Sequence, residues 1–165
     1  MRTRRTPNRG QGEPSEAEVH RLKALVQTFT RSFGLLVTKE TPCGYPVSAS
    51  YAHCLMVLLE CDEGDVGTSQ TALGARLGID KSNVARLCSR LESSGHATQT
   101  RDPADGRGRL LSLTTKGRRI AKRIEVASHD RFQRVAQALP PRKRATVLAA
   151  LEALTSAVQA LDDEG

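Results

Sequence analysis

The sequence predicts a mainly α-helical fold that carries one small β-hairpin. Apolar residues recur at spacings of three and four over most of the 165 residues, as they do on one face of an amphipathic helix. Between residues 97 and 113 the spacing of apolar residues changes to that of strands. The middle of this segment contains Pro103, Gly106 and Gly108. Proline and glycine in this position are typical of a turn between two strands. We therefore expect a helical chain with one hairpin in its second half.

The chain opens with a polar segment, residues 1–14, which holds four arginines, two prolines and two glycines. It has no apolar run, so it is too polar for a secretory signal and too short to span a membrane. We interpret it as a disordered basic arm, which is either a solvated tail or an arm that follows nucleic-acid phosphates. Since no later segment has the length of a membrane span, we expect a soluble, cytoplasmic protein without membrane contact.

Two helices are expected next. The first runs from about Ser15 to Thr38, where apolar residues recur at three and four. An irregular connection rich in proline and glycine, residues 42–46, follows it. Ser48 then caps a second helix that reaches about Cys61, and its apolar character is typical of a central, buried element.

A short helix, a turn and a second helix make up the middle of the chain. Ser69 is expected to cap the short helix, which ends at Leu77, and Asp80 the second one, from Lys81 to about Ser93. The apolar stripe of the second helix faces inward. Donor-rich side chains are left facing out: Lys81, Ser82, Asn83, Arg86 and Arg90. A helix-turn-helix places such donors in the major groove of duplex DNA.

The hairpin consists of strands at residues 97–101 and 109–113 joined by the turn 102–108. Arg107 is placed at its tip and Arg101 and Arg109 at its sides. A hairpin that follows a helix-turn-helix and carries arginines can reach an adjacent minor groove, where the negative potential is concentrated. The alternative is a solvated basic loop.

Positive charge is concentrated in the same part of the chain. Residues 68–119 hold ten basic and four acidic residues, which accounts for +6 of the net charge of +7. Such a segment attracts a phosphate backbone whatever its sequence. A generally basic surface, the alternative, would spread the excess more evenly over the chain.

The last two helices are expected to mediate assembly. Thr115 begins a long helix that ends at Pro140 and Pro141, and the last helix extends from about Arg142 to Leu161. Its apolar residues alternate spacings of four and three, as in a heptad seam: Val147, Leu151, Leu154, Val158 and Leu161. We expect this seam to pack against a second copy of the chain, with packing on the chain's own first helix as the alternative.

Several of these segments together resemble the MarR (multiple antibiotic resistance regulator) family of bacterial transcription factors. The matching motifs are residues 78–84, 91–95, 101–107 and 113–117. The likeness extends over about residues 17–162. The family's usual wing has an Asp followed by two Arg, whereas this chain has Asp105, Gly106 and Arg107. The minor-groove role therefore falls on Arg107 alone.

The resemblance implies a winged helix-turn-helix core, about residues 47–114, with long dimerisation helices at about 15–38 and 115–162. Residues 15–165 would then form a single MarR-like domain behind the arm. The implied function is a homodimeric transcriptional regulator of double-stranded DNA, a ligand-responsive repressor on a palindromic operator. Its DNA-binding residues would be Lys81, Ser82, Asn83, Arg86, Arg90, Arg101, Arg107 and Arg109.

By position, the family's ligand cleft lies near the start of the second helix. Four residues of this chain fall there: Tyr45, Tyr51, His53 and Cys54. A small aromatic or phenolic acid would suit such a site as an effector. The alternative is that these side chains are ordinary core or junction packing.

The four cysteines show neither Cys-x-x-Cys spacing nor a histidine at metal-ligand intervals. We therefore expect no metal and no cofactor. Cys43, in the loop before the second helix, is the candidate for an exposed thiol, and a redox-sensing regulator is the alternative function. The sequence has no phosphate-binding glycine loop, His-Glu-x-x-His or Gly-x-Ser-x-Gly motif, so an enzyme is not expected. A small enzyme and a nonspecific DNA-compacting protein remain as further alternatives.

Overall fold

The computed structural model describes residues 12–37, 39–61, 67–103 and 108–163. In these residues the chain forms six α-helices, three β-strands and one 3-10 turn. The elements are α1 Glu16–Phe33, α2 Ala49–Cys61, β1 Thr68–Ser69, α3 Gln70–Leu77, α4 Lys81–Ser93, β2 Ala97–Arg101, β3 Arg109–Leu113, α5 Thr115–Ala138, the 3-10 turn Pro141–Lys143 and α6 Arg144–Asp163. The predicted fold class, mainly helical with a small β-wing, is confirmed. The expected basic arm lies for the most part outside the described residues.

Side-chain caps fix where several helices begin. Ser69 accepts the amide of Ala72 at 3.1 Å, and Thr114 accepts that of Gly117 at 3.0 Å. Such bonds satisfy amides that have no partner within the first turn of a helix. Ser15 and Glu18 form a reciprocal capping box at the start of α1.

The first helix is shorter than the sequence predicts. It ends at Phe33, because Gly34 adopts a left-handed conformation with φ 86° and its amide bonds back to Arg31. Glycine reaches this conformation without a steric penalty and so stops the helix. The expected end at Thr38 is wrong, and Thr38 itself lies outside the described residues.

The wing is a three-stranded antiparallel sheet in the order β1, β3, β2. Strands β2 and β3 have the predicted bounds, with Ala97 opposite Leu113 and Arg101 opposite Arg109. The sequence did not predict β1, because its two residues are too few to show alternation. Thr68 of β1 lies opposite Leu111 and attaches the wing to the start of α3.

The core lies where α2 meets the helix-turn-helix, the wing and the first half of α5. Its largest fully buried side chains include Leu55, Leu73, Leu91, Leu111 and Ile124. A Cβ added to Gly117 of α5 would overlap the carbonyl oxygen of His96. This close approach fixes the start of α5 against the segment between α4 and the wing.

The outer helices are packed very differently. No residue of α1 is buried, nor is any described side chain of α6. Large apolar side chains on both are exposed, as they also are on the second half of α5: Val19, Leu22, Leu25, Phe29, Val126, Phe132, Leu148, Leu151, Val158 and Leu161. Among the described residues, no helix combines the length and apolar character needed to cross a membrane.

Candidate DNA-binding site

Helix α4 presents two opposite faces. Its inner face is buried through Val84, Leu87, Cys88 and Leu91. The five side chains that the sequence proposes as readers are all exposed. They are Lys81, Ser82, Asn83, Arg86 and Arg90. The structure thus brings them together on the free surface of one helix.

Asp80 organises the first turn of α4. Its carboxylate accepts the amides of Ser82 at 2.9 Å and Asn83 at 3.0 Å. It also accepts the Ser82 hydroxyl at 2.7 Å and the side-chain amide of Asn83. These bonds, that of the Ser82 hydroxyl first, lower the pKa of Asp80 from 3.8 to about 2. The backbone amide and one side-chain donor of each of the two neighbours are therefore engaged in the cap, whereas Lys81, Arg86 and Arg90 bring cations to the face.

Two glutamines connect the wing to the helix-turn-helix. Gln70 of α3 donates to Gln99 of β2 at 2.9 Å, and Gln99 donates to Glu92 of α4 at 2.8 Å. The three side chains line the groove between α4 and the wing. Their bonds hold the strands in a fixed position relative to the helix that carries the exposed cations.

The wing places two arginines side by side. Arg101 and Arg109 are directly opposite each other in the ladder, and both are exposed. Asp102 donates its amide to the carbonyl of Gly108 at 3.0 Å and closes the turn. Like charges directly opposite are destabilising in a sheet, and an anion between them would remove this cost. Arg107 lies outside the described residues.

Of the four residues proposed for a ligand cleft, three lie in or against the hydrophobic core and one lines a cavity. Tyr45 lies under the guanidinium of Arg123, 5.9 Å from its ring centroid. Tyr51 and Cys54 are buried in the core. Only His53 of the four lines the apolar cavity between the end of α1, the start of α2 and the middle of α5.

That cavity has a volume of about 290 Å³, and Cys43 also lines it. Its one guanidinium is that of Arg131, which lies 5.0 Å from the ring centroid of Phe33 and donates from Nη2 to the carbonyl of Phe33 at 3.1 Å. Among the described residues, the buried Nε of Arg131 has no hydrogen-bond partner. Sequence reasoning missed Arg131, because nothing local distinguishes one arginine from the others on a basic helix.

The cysteines give little support to redox sensing. Burial, together with the neighbouring Cys88, raises the pKa of Cys54 to about 12, and burial raises that of Cys88 to about 11. The thiolate is the reactive form, and these raised pKa values favour the protonated thiols at neutral pH. Cys43 is half-buried, with its Sγ 3.0 Å from the hydroxyl of Thr41. Within the described ranges, no three His, Cys, Asp or Glu side chains form a group that could hold a metal ion.

The order of elements, the capped α4 with its exposed cations and the three-stranded wing define a winged helix-turn-helix protein. Residues 46–108 match the model of the MarR family. The chain is 34% identical over 80 residues to the HTH-type transcriptional regulator TtmR of Methylorubrum extorquens, a match that covers 48% of this chain and 40% of that relative. It thus spans about two fifths of the curated relative's length.

Solved structures extend the likeness along the chain. The PcaV transcriptional regulator of Streptomyces coelicolor, in complex with its natural ligand, is 27% identical, with a TM-score of 0.61 over 90% of this chain and 99% of that one. A mutant MarR of E. coli, complexed with operator DNA, shares the fold with a TM-score of 0.67 at 23% identity, over 86% and 99% of the two chains. Residues 46–108 are thus similar to the MarR family, and 90% of the chain is similar in structure to the PcaV transcriptional regulator.

Proposed function

We propose that the chain is a sequence-specific regulator of transcription that binds a palindromic operator in double-stranded DNA as a homodimer and acts as a repressor. The observation that carries the proposal is the single exposed surface formed by α4 and the wing. It presents the cations of Lys81, Arg86 and Arg90 beside the opposed Arg101 and Arg109. Phosphates between the two wing arginines would relieve their repulsion, while α4 enters the major groove.

Each part of this surface has its own role in the proposal. Arginines on a recognition helix read guanine edges through paired hydrogen bonds. Arginines of the wing contribute mainly through phosphates and groove potential. Two copies of the chain would present two such helices, whose centres must lie about 34 Å apart to enter successive major grooves. The operator complex of the E. coli MarR mutant supports this use of the fold.

The test is a binding-site selection with the wild-type chain, followed by titration of the selected duplex. Arg86→Ala is expected to weaken binding by about 1–3 kcal/mol and to blur one position in each half-site. Arg134, an exposed arginine on α5, gives the matched control, and Arg134→Ala should leave the selected motif unchanged. An unchanged motif for Arg86→Ala would remove Arg86 as a reader. If the wild type selects no motif, the proposed function itself is contradicted, and the alternative of a nonspecific DNA-compacting protein is favoured.

Arg107 is proposed to act at the minor groove, on sequence grounds. Arg107→Ala should weaken binding to many sequences and lower the slope of log affinity against log salt by about one. The major-groove motif should persist, while preference for flanks rich in A·T pairs fades. Equal salt slopes and affinities for the variant and the wild type would assign the wing tip to solvent.

We also propose that the effector is a small aromatic or phenolic acid bound in the cavity of about 290 Å³. Its apolar lining suits a ring, and the partnerless Nε of Arg131 suits a carboxylate. Calorimetric titration with 4-hydroxybenzoate is expected to show binding that Arg131→Gln abolishes and Arg134→Gln retains. Equal binding by both variants, or none by the wild type, would rule out this effector class.

A further inference from the structure

Tyr51 of α2 contacts the DNA-binding half of the molecule in two ways. Its side chain is only 3% exposed, and its hydroxyl shares a hydrogen bond of 2.6 Å with Nδ1 of His96. On the other side, the guanidinium of Arg90 lies 5.3 Å from the centroid of its ring. One buried side chain therefore links α2 to α4 and to the segment that leads into the wing.

The backbone of His96, whose ring bonds the Tyr51 hydroxyl, is itself held by hydrogen bonds on both sides. Its amide bonds to the carbonyl of Leu91 at 2.9 Å, where α4 ends, and its carbonyl accepts the amide of Thr114 at 3.1 Å, where α5 begins. The same carbonyl lies against Gly117. Burial and the nearby Lys116 lower the pKa of His96. The hydrogen bond therefore anchors the tyrosine ring to a joint that three elements share.

Arg90, unlike the buried Tyr51, has an exposed side chain. It is exposed on the reading face of α4, and a free arginine side chain samples many rotamers. A guanidinium over an aromatic ring is attracted by the negative face of that ring. The anchored ring of Tyr51 therefore restricts the side chain of Arg90 before any DNA arrives, which reduces the entropy lost on binding.

We propose that Tyr51 is a positioning residue for DNA recognition, which acts by holding Arg90 in its DNA-contacting orientation through a ring that His96 fixes. This rests on the proposed function. It differs from ordinary core packing in one measurable respect. Packing alone would change stability and leave the energetic contribution of Arg90 untouched, whereas a positioning role makes the effects of the two residues depend on each other.

A double-mutant cycle on the duplex selected by the wild-type chain tests the proposal. Tyr51→Leu is expected to weaken binding roughly two- to fivefold, the value of one exposed contact between a cation and a ring. In the Arg90→Ala background the same change should have no effect. Tyr51→Phe keeps the ring and removes only the anchor, so its loss should be smaller than that of Tyr51→Leu and should likewise vanish with Arg90→Ala.

Tyr45 provides the matched control, because its ring also lies under an arginine, Arg123 of α5. Tyr45→Leu should leave affinity for the duplex unchanged. Circular dichroism of each variant reports folding, and if Tyr51→Leu unfolds, the cycle is run with Tyr51→Phe. An equal loss from the Tyr51 variant in both backgrounds would overturn the proposal, as would an Arg90→Ala variant that binds like the wild type. With either of these two results, a motif selected by the wild type would still support the proposed function. If the wild type selects no motif, the proposed function and the role of Tyr51 are both contradicted.

Discussion

The winged-helix core and the outer helices contain the same types of apolar residue, but the core buries them and the outer helices expose them. Leu55, in α2, is fully buried, whereas Leu25, in α1, is 60% exposed. Helix α1 is amphipathic, whereas α2 is apolar over most of its length. The core closes its apolar surface within one chain, while α1, α6 and the second half of α5 leave theirs uncovered.

This difference shows which part of the fold is complete within one chain. A contiguous apolar surface rimmed by polar residues marks an interaction site, and the heptad spacing of α6 fits a helix that packs on another helix. A second copy of the chain, as proposed, would bury these stripes and place two copies of α4 at a fixed separation.

The largest effect is expected from a charge in the seam of α6. Leu154→Asp would place an unpaired carboxylate in the proposed dimer interface, at a cost of about 3–5 kcal/mol, or more than two orders of magnitude in the dimer dissociation constant. Sedimentation velocity should show a monomer or an unfolded chain. Gln159→Asp, at an exposed polar position of the same helix, should remain dimeric. A folded dimer for Leu154→Asp would remove α6 from the interface.

The second prediction makes the same substitution in both regions. Leu55→Ala leaves a cavity in the core and should lower the free energy of unfolding by about 2–5 kcal/mol. This loss should not depend on protein concentration. Leu25→Ala should act only through the proposed dimer, so its effect should depend on concentration. Urea unfolding at several concentrations measures both. Similar, concentration-independent losses would erase the distinction between the two regions.

A steric change sharpens the definition of the core. Gly117→Ala would drive a methyl group into the carbonyl of His96, and overpacking of this kind costs about 1–3 kcal/mol. Urea unfolding should show that loss. Gly12→Ala meets nothing within 4 Å and should change stability by less than about 0.5 kcal/mol. Equal stability of the two variants would mean that α5 is free to move away from the wing segment.

The smallest effect concerns the caps at acid pH. Because the pKa of Asp80 is lowered to about 2, its cap contributes fully above about pH 4 and is lost as the pH falls through 2. Asp80→Asn keeps a capping oxygen that does not titrate. The variant should therefore lose less stability than the wild type between pH 5 and pH 2, as measured by thermal unfolding. Glu18→Gln makes the matching test at α1, because the pKa of Glu18 is also lowered. Parallel curves of stability against pH for the wild type and Asp80→Asn would contradict the capping role of Asp80.

The sequence predicted most element boundaries because they depend on neighbouring residues. Ser69 and Asp80 cap their helices as expected, and α5 begins at Thr115 as expected, since a cap bonds within its own first turn. The end of α1 was missed because apolar residues continue beyond Gly34, although a glycine at that point is a local stop. Strand β1 was missed because two residues become a strand only when β3 lies beside them.

The candidate sites divide along the same line. The exposed donors of α4 follow from its period, because a stripe that faces inward leaves the opposite face to solvent. The proposed ligand residues were assigned by their position along the chain, and the structure separates Tyr51 from His53 although both lie on α2. Arg131, in the cavity, and the contact of Tyr51 with His96 join residues far apart in the sequence, which no local pattern marks.

By itself the sequence determined the caps, the helical periods, the hairpin and the concentration of positive charge around the helix-turn-helix. Each of these is set by residues within a few positions of one another. Only the tertiary structure decided that Leu55 is enclosed and Leu25 is left exposed, and that Tyr51 lies between Arg90 and His96. Burial and contact across elements depend on which surfaces meet, and that is fixed by the packing of the whole chain.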